Sequence, residues 1–381
     1  MQTAVLIEPG RDFASHGDRR SARETIIAPT VTHWSRILYV DLLEGANDAP
    51  MPRAPGDPTR RYPGESGVEP SPTKQARRES QWVTLSASDG YPITAIRYPS
   101  RAPARAHLIV AGAVGVPQRF YRRFAEYAAS IGCSTLTFDY RGIGLSAPTT
   151  LEGFEMDYFD WGRLDLAAAV EAMSAPNLPL YIVGHSFGGH AFGLLPNYER
   201  VTAFYTFGTG AGWHGWMPPL ERAKVLAISE IVGPGLTRWK GYLPLNVLGL
   251  GEDLPLAFYE RWKHWCHSPN YFFGDLAVRH VTQSFDRIRA PLMAANAIDD
   301  HWSPPKSRDA FIAGYRNAVR HTLDLDPIAV GLRSIGHNGY FKQNARPLWE
   351  AALDWLVSRR NLSRANASLA SDSTEASVAL R

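Results

Sequence analysis

One serine stands where its neighbours could make it a nucleophile. Gly184-His185-Ser186-Phe187-Gly188 fits G-x-S-x-G. An apolar run, Leu180 to Val183, precedes it, and a helix-compatible run, His190 to Leu195, follows. Strand, sharp turn and helix is the context that makes this pattern a nucleophile elbow. Glycines at minus two and plus two let strand and helix approach, and the turn sets Ser186 Oγ beside a helix N-terminus, where negative charge is stabilised. A serine hydroxyl alone is a poor nucleophile. It needs a base within hydrogen-bond reach, oriented by a third group.

Two later loops offer these partners, in the chain order serine, acid, histidine. Asp299-Asp300-His301-Trp302-Ser303-Pro304 follows the apolar run Pro291 to Ile298, and Gly336-His337-Asn338-Gly339 follows Ile328 to Ile335. Both lie past the C-terminal end of a predicted strand, where open α/β sheets bind ligands. His337 is the expected base and Asp300 the acid that orients it, with Asp299 its rival. His301 shares the acid's loop and would face poorly. His185, inside the elbow, is expected to pack or bond locally. An acyl intermediate's oxyanion needs two donors. The N–H of Phe187 is one, and the loop after the third strand should supply the other, with Ala113 the expected position.

These residues need a scaffold, and the chain from Gln81 onward has the rhythm of one. Trp82 to Leu85 and Ile93 to Tyr98 read as strands joined at Ser88-Asp89-Gly90. Ala106 to Gly112 and Ser134 to Phe138 read as further strands, with a helix, Phe120 to Ala129, between them. A helix over Asp157 to Met173 leads into the elbow, and Val201 to Phe207 is the next strand. The rhythm resumes with strands at Pro291 to Ile298 and Ile328 to Ile335, a helix from Pro305 to Tyr315 between them, and a closing helix, Ala345 to Arg359. Alternating strands and helices imply an α/β fold: a mostly parallel sheet with helices on both faces. The core is expected over 80–210 and 290–360. Residues 211–289 break the rhythm and hold five of the chain's 11 tryptophans. They read as a helical cap insertion, whose aromatic residues could line an apolar acyl pocket or form the cap's own core. Residues 1–79, with seven prolines between Pro50 and Pro72, and the Ser- and Ala-rich stretch 361–381 read as a disordered extension and tail.

Totals exclude other classes. Lys+Arg 40 against Asp+Glu 37 leaves no basic stripe that suggests nucleic acid. The two cysteines, Cys133 and Cys266, make no disulfide framework. No apolar run approaches the ~18 residues of a membrane span, and the patch Ala4 to Ile7 is short for a secretory signal. A cytoplasmic location is the resulting expectation. His264-Trp265-Cys266-His267 brings possible metal ligands together, but three-residue spacing in an aromatic setting reads as packing. Gly208-Thr209-Gly210-Ala211-Gly212 lacks the spacing of a dinucleotide fingerprint, and no P-loop lysine follows it. No cofactor and no metal are expected.

The chain resembles α/β-hydrolase-fold proteins in Gly184 to Gly188, Asp139-Tyr140-Arg141-Gly142-Ile143-Gly144-Leu145-Ser146, Asp300 four before Pro304, and Ile335-Gly336-His337. It is most similar to a little-characterised bacterial branch of predicted α/β hydrolases, through Gly115 to Tyr121, Leu250 to Pro255 and Trp262 to Cys266. The resemblance implies a Ser–Asp–His triad at Ser186, Asp300 and His337. Many members carry His-Gly at the oxyanion strand, where this chain has Ala111-Gly112. The expected activity is that of a serine hydrolase on an ester or related acyl bond of a small, apolar substrate. Acyl transfer would share the triad. An aminopeptidase-like activity would need a cap carboxylate for the substrate's amino group, with Glu221, Glu230, Glu252 and Asp253 as candidates. A non-catalytic binding protein is the third class, and an intact triad counts against it.

Overall fold

The computed structural model describes residues 79–359. The expected tail lies outside them, as does the expected N-terminal extension apart from its last residue. Eight strands form one sheet: β1 (Gln81–Ser86), β2 (Pro92–Tyr98), β3 (Ala106–Ala111), β4 (Cys133–Phe138), β5 (Leu180–His185), β6 (Ala203–Phe207), β7 (Leu292–Ala297) and β8 (Arg320–Leu325). Their order is β1-β2-β4-β3-β5-β6-β7-β8. The β1–β2 and β2–β4 pairs are antiparallel, and every pair from β4 to β8 is parallel. Ala111 pairs with Gly184 and His185 with Phe207, so the ends of β3, β5 and β6 arrive at one rim.

β5 is buried along its whole length, as its apolar run requires for a strand covered on both faces. Its side chains alternate between two cores. Tyr181 and Val183 join Phe124, Trp349 and Leu353 of the helices Arg122–Ser130 and 346–359. Leu180 and Ile182 join Val170, Phe192 and Phe311 of the helices Ala167–Met173, Phe187–Phe192 and Pro305–Ile312 on the other face. Each such aliphatic side chain contributes roughly 1.5–3 kcal/mol on burial.

The last strand is not where its apolar pattern placed it. β8 spans Arg320–Leu325, and Ile328 to Ile335 is a turn-rich loop. β8 is an edge strand and largely exposed, so it carries polar residues. In the loop, Ile328 is 74% exposed, its N–H donates to the Asp326 carboxylate, and Gly331 sits at φ 75°. Leu332 and Ile335 are buried there, but as packing for the His337 loop.

Between β6 and β7 the chain runs through the helices Pro219–Ala227, Gly233–Lys240, Leu256–Trp265 and Arg279–Thr282, with one β-bridge, Leu243 to Leu254. The aromatic residues here divide. Phe258 and Trp265 are buried, and Phe258 stacks on Tyr158 and Trp161 with centroids 4.7 and 4.1 Å away. Trp239 is 70% exposed. No helix of the described residues is long and apolar enough to cross a membrane.

Candidate active site

Ser186 follows β5 directly and adopts φ 51°, ψ −107°. Positive φ costs a residue with a Cβ on the order of 1–3 kcal/mol, so its surroundings must impose it. They do. The Ser186 N–H donates to the Phe207 carbonyl at 2.9 Å. A Cβ on Gly184 would lie 2.8 Å from the Gly188 carbonyl carbon, and one on Gly188 only 2.1 Å from the Ala111 oxygen. The backbones on both sides of the turn touch, and only glycine fits at either position.

His337 Nε2 lies 3.0 Å from Ser186 Oγ. Its Nδ1 lies 2.9 Å from Asp300 Oδ2 and 3.1 Å from Oδ1. A carboxylate accepts only, so the ring proton sits on Nδ1 and Nε2 presents its lone pair to the serine hydroxyl. Asp300 is fully buried. Its Oδ1 accepts the N–H groups of Trp302 (3.0 Å) and Ser303 (2.9 Å), and its Oδ2 accepts the Tyr340 hydroxyl (2.9 Å). Burial alone pushes this carboxyl up. The charge and hydrogen bond of His337, with the Ser303 and Tyr340 donors, outweigh it and hold Asp300 below the usual carboxylate value.

The adjacent aspartates divide the work. Asp299 does not bond to the ring. Its carboxylate accepts the N–H groups of Ile335 (2.9 Å) and Gly336 (3.1 Å), gripping the backbone that carries His337. Gly336 sits at φ 56°, where glycine is favoured, and turns the chain into His337. His301 is exposed. His185 is fully buried and bonds locally: Nδ1 is 3.0 Å from Tyr121 Oη and Nε2 is 2.8 Å from the His337 carbonyl oxygen.

Of the expected oxyanion donors, Phe187 N–H opens the helix Phe187–Phe192 beside Ser186, where a first-turn N–H has no intrahelical acceptor. Ala113 differs from expectation. Its N–H donates to Tyr121 Oη at 2.8 Å and is already committed. Ala111 stands before Gly112, and the acceptor of the Ala113 N–H is the hydroxyl of a tyrosine from beyond the loop. Tyr121 closes the Gly115–Tyr121 stretch of the resemblance, but nothing in the sequence assigns it or Tyr340 a hydrogen-bonding role. Tyr121 meets His185 across 64 residues, and no local pattern marks such a partner.

Of the two other motifs, the glycine-rich stretch packs against the site, whereas His264 and His267 are exposed. His267 Nε2 lies 3.0 Å from Glu230 and His264 Nε2 lies 3.7 Å from Asp275, so the two histidines turn to different carboxylates. In the glycine-rich stretch, a Cβ on Gly208 would lie 2.9 Å from the Tyr340 ring, and one on Gly210 2.3 Å from Ser307 Oγ. These glycines admit the close approach of the Asp300 and Pro305–Ile312 segments.

Residues 102–238 match the family described as serine aminopeptidase, S33. A search of the curated proteins found no match. Among solved structures, a soluble variant of monoglyceride lipase from Saccharomyces cerevisiae, bound to a substrate analog, aligns with TM-score 0.54 at 16% identity, over 76% of this chain and 99% of that one. A hypothetical protein from Pseudomonas aeruginosa aligns with TM-score 0.51 at 15% identity, over 77% of this chain and all of that one. Likeness at this identity is likeness of fold.

Proposed function

We propose that this chain, which has the α/β-hydrolase fold, is a serine hydrolase that cleaves an ester or related acyl bond through an acyl-enzyme intermediate. The observation that carries the reading is the unbroken path Ser186 Oγ–His337 Nε2, His337 Nδ1–Asp300. Ser186 attacks the acyl carbonyl while His337 takes its proton at Nε2. The buried Asp300 carboxylate stabilises the imidazolium so formed and fixes its tautomer. His337 then returns the proton to the leaving group, and water, activated by the same imidazole, releases the acid. The N–H of Phe187 donates to the oxyanion.

The family match raises a peptidase reading, which needs a carboxylate to hold a substrate amino group. All four candidates already have partners. Glu221 pairs with Lys224 at 2.8 Å, Glu252 with Arg119 at 2.9 Å, and Glu230 with Lys263 at 2.8 Å. Asp253 accepts the Asn246 N–H at 3.0 Å. These partners favour an acyl substrate without an amino group. The test is a chain-length series of p-nitrophenyl esters on wild type and Ser186→Ala, with products analysed with and without an alcohol acceptor. A loss of ~10³-fold or more in Ser186→Ala supports the nucleophile, and an unchanged rate refutes it. An acyl-acceptor product in place of free acid would reassign the reaction as transfer.

A further inference from the structure

Behind Ser186 and His337 runs a second, buried polar chain. The Ala113 N–H donates to Tyr121 Oη (2.8 Å), Tyr121 Oη meets His185 Nδ1 (3.0 Å), and His185 Nε2 meets the His337 carbonyl oxygen (2.8 Å). One end fixes the direction of every bond. A carbonyl only accepts, so the His185 proton is on Nε2. Burial, then the charge of His337, holds the His185 imidazole down at about 3, so the ring is neutral and Nδ1 carries a lone pair. Tyr121 must therefore donate to Nδ1, and its oxygen is left to accept the Ala113 N–H. Each donor and acceptor is used once. Both side chains are buried and pack edge-on or tilted against Phe341, with centroids 4.8 and 5.2 Å away.

The arrangement repeats one on the acid's side. Tyr340 Oη accepts the Ala297 N–H at 2.9 Å and donates to Asp300 Oδ2. Each tyrosine ties a main-chain N–H near a strand end to a group that holds His337. Asp300 holds the ring, and His185 holds the peptide from which the ring hangs.

We propose that Tyr121 and His185 are positioning residues for proton transfer between Ser186 and His337, acting through the His337 carbonyl. The proposal rests on the serine-hydrolase reading above. Tyr121, by donating to Nδ1, anchors the His185 ring so that Nε2–H stays aimed at the His337 carbonyl. Without that hydroxyl Nδ1 loses its donor and the ring its anchor, so the Nε2–H bond to the His337 carbonyl is no longer held in line. Residue 337 is freed on its backbone side while Asp300 still holds its ring.

The test uses the full chain as wild type, Ser186→Ala, Tyr121→Phe, His185→Gln, His185→Leu and the Tyr121→Phe/His185→Leu double variant. All are assayed on the best p-nitrophenyl ester, with thermal melts alongside. Tyr121→Phe should lower kcat by ~10²-fold, the scale of a small misplacement of a catalytic group, and leave KM unchanged. His185→Gln, whose side-chain amide can still donate to the carbonyl, should keep clearly more activity than His185→Leu. The double variant should lose no more than His185→Leu alone, because the pair acts as one unit. Wild-type kcat in Tyr121→Phe, a loss carried in KM, additive losses, or equal losses in the Gln and Leu variants would each overturn the proposal. If Tyr121→Phe melts below the assay temperature, the Gln-to-Leu ratio decides. Ser186→Ala separates the two layers: if it retains wild-type activity, the hydrolase reading itself has failed.

Discussion

Asp300→Asn alters one atom and reverses the polarity of the His337 contact. The carboxylate receives four donors: the Trp302 and Ser303 N–H groups on Oδ1, the Tyr340 hydroxyl on Oδ2, and His337 Nδ1, which reaches both oxygens. An asparagine oxygen can keep the two backbone donors. Its NH2 must then take the Oδ2 position, facing the Tyr340 hydroxyl and the His337 Nδ1–H, each 2.9 Å away. Donor cannot face donor, so His337 shifts its proton to Nε2 and accepts from the amide at Nδ1. Nε2–H then points at Ser186 Oγ, and no base remains for the serine proton. The expected loss in kcat at neutral pH is ~10⁴-fold, or about 5 kcal/mol of transition-state stabilisation, with the fold little changed. Ester hydrolysis, paired with the rate of Ser186 labelling by a fluorophosphonate, measures it. A variant within tenfold of wild type, or one that labels at the wild-type rate, would refute the reasoning.

Asp299→Ala should behave differently from its neighbour. It removes the acceptor of two backbone N–H groups without touching the ring, so kcat should fall only ~10-fold and stability by about 1–2 kcal/mol, read by kinetics and urea unfolding. A loss matching Asp300→Asn would mean that the two roles are exchanged. Gly188→Ala would set a Cβ 2.1 Å from the Ala111 oxygen. With backbone on both sides, the cost should reach about 3 kcal/mol or more, and a wild-type denaturation midpoint would contradict the elbow geometry. Stability should also follow the Asp300 ionisation. Its folded value is lowered from an unfolded value of ~3.9, so its contribution is complete above that pH and is lost as pH falls through the lower folded value. The difference in Tm between wild type and Asp300→Asn should therefore change below about pH 4 and stay flat above it; a difference that varies only above pH 5 would contradict this.

The parts of the site legible in sequence were those fixed by local rules. The elbow declares itself because strand, strained turn and helix occur within a dozen residues and the glycines have steric reasons. The acid and base loops are legible because each closes an apolar run. Asp300 is the expected acid, but Asp299 stays a rival on sequence alone, since the choice depends on which carboxylate faces a ring 37 residues later. β8 was misplaced because a sheet's edge needs little apolar side chain, whereas a loop packed under His337 needs Leu332 and Ile335. The Tyr121–His185 and Tyr340–Asp300 bonds span 64 and 40 residues, and hydrophobic patterning carries no record of them or of the Ala113 bond to Tyr121.

Phe258, from the excursion between β6 and β7, stacks on Trp161 and stands 5.8 Å from the ring of Phe187, the residue after the nucleophile. The excursion is thus keyed into the elbow through its aromatic contacts. A chimera carrying a relative's excursion would not simply exchange one specificity for another. It would remove a wedge from under the helix that begins at Phe187, and turnover would change even for a substrate too small to notice the new walls.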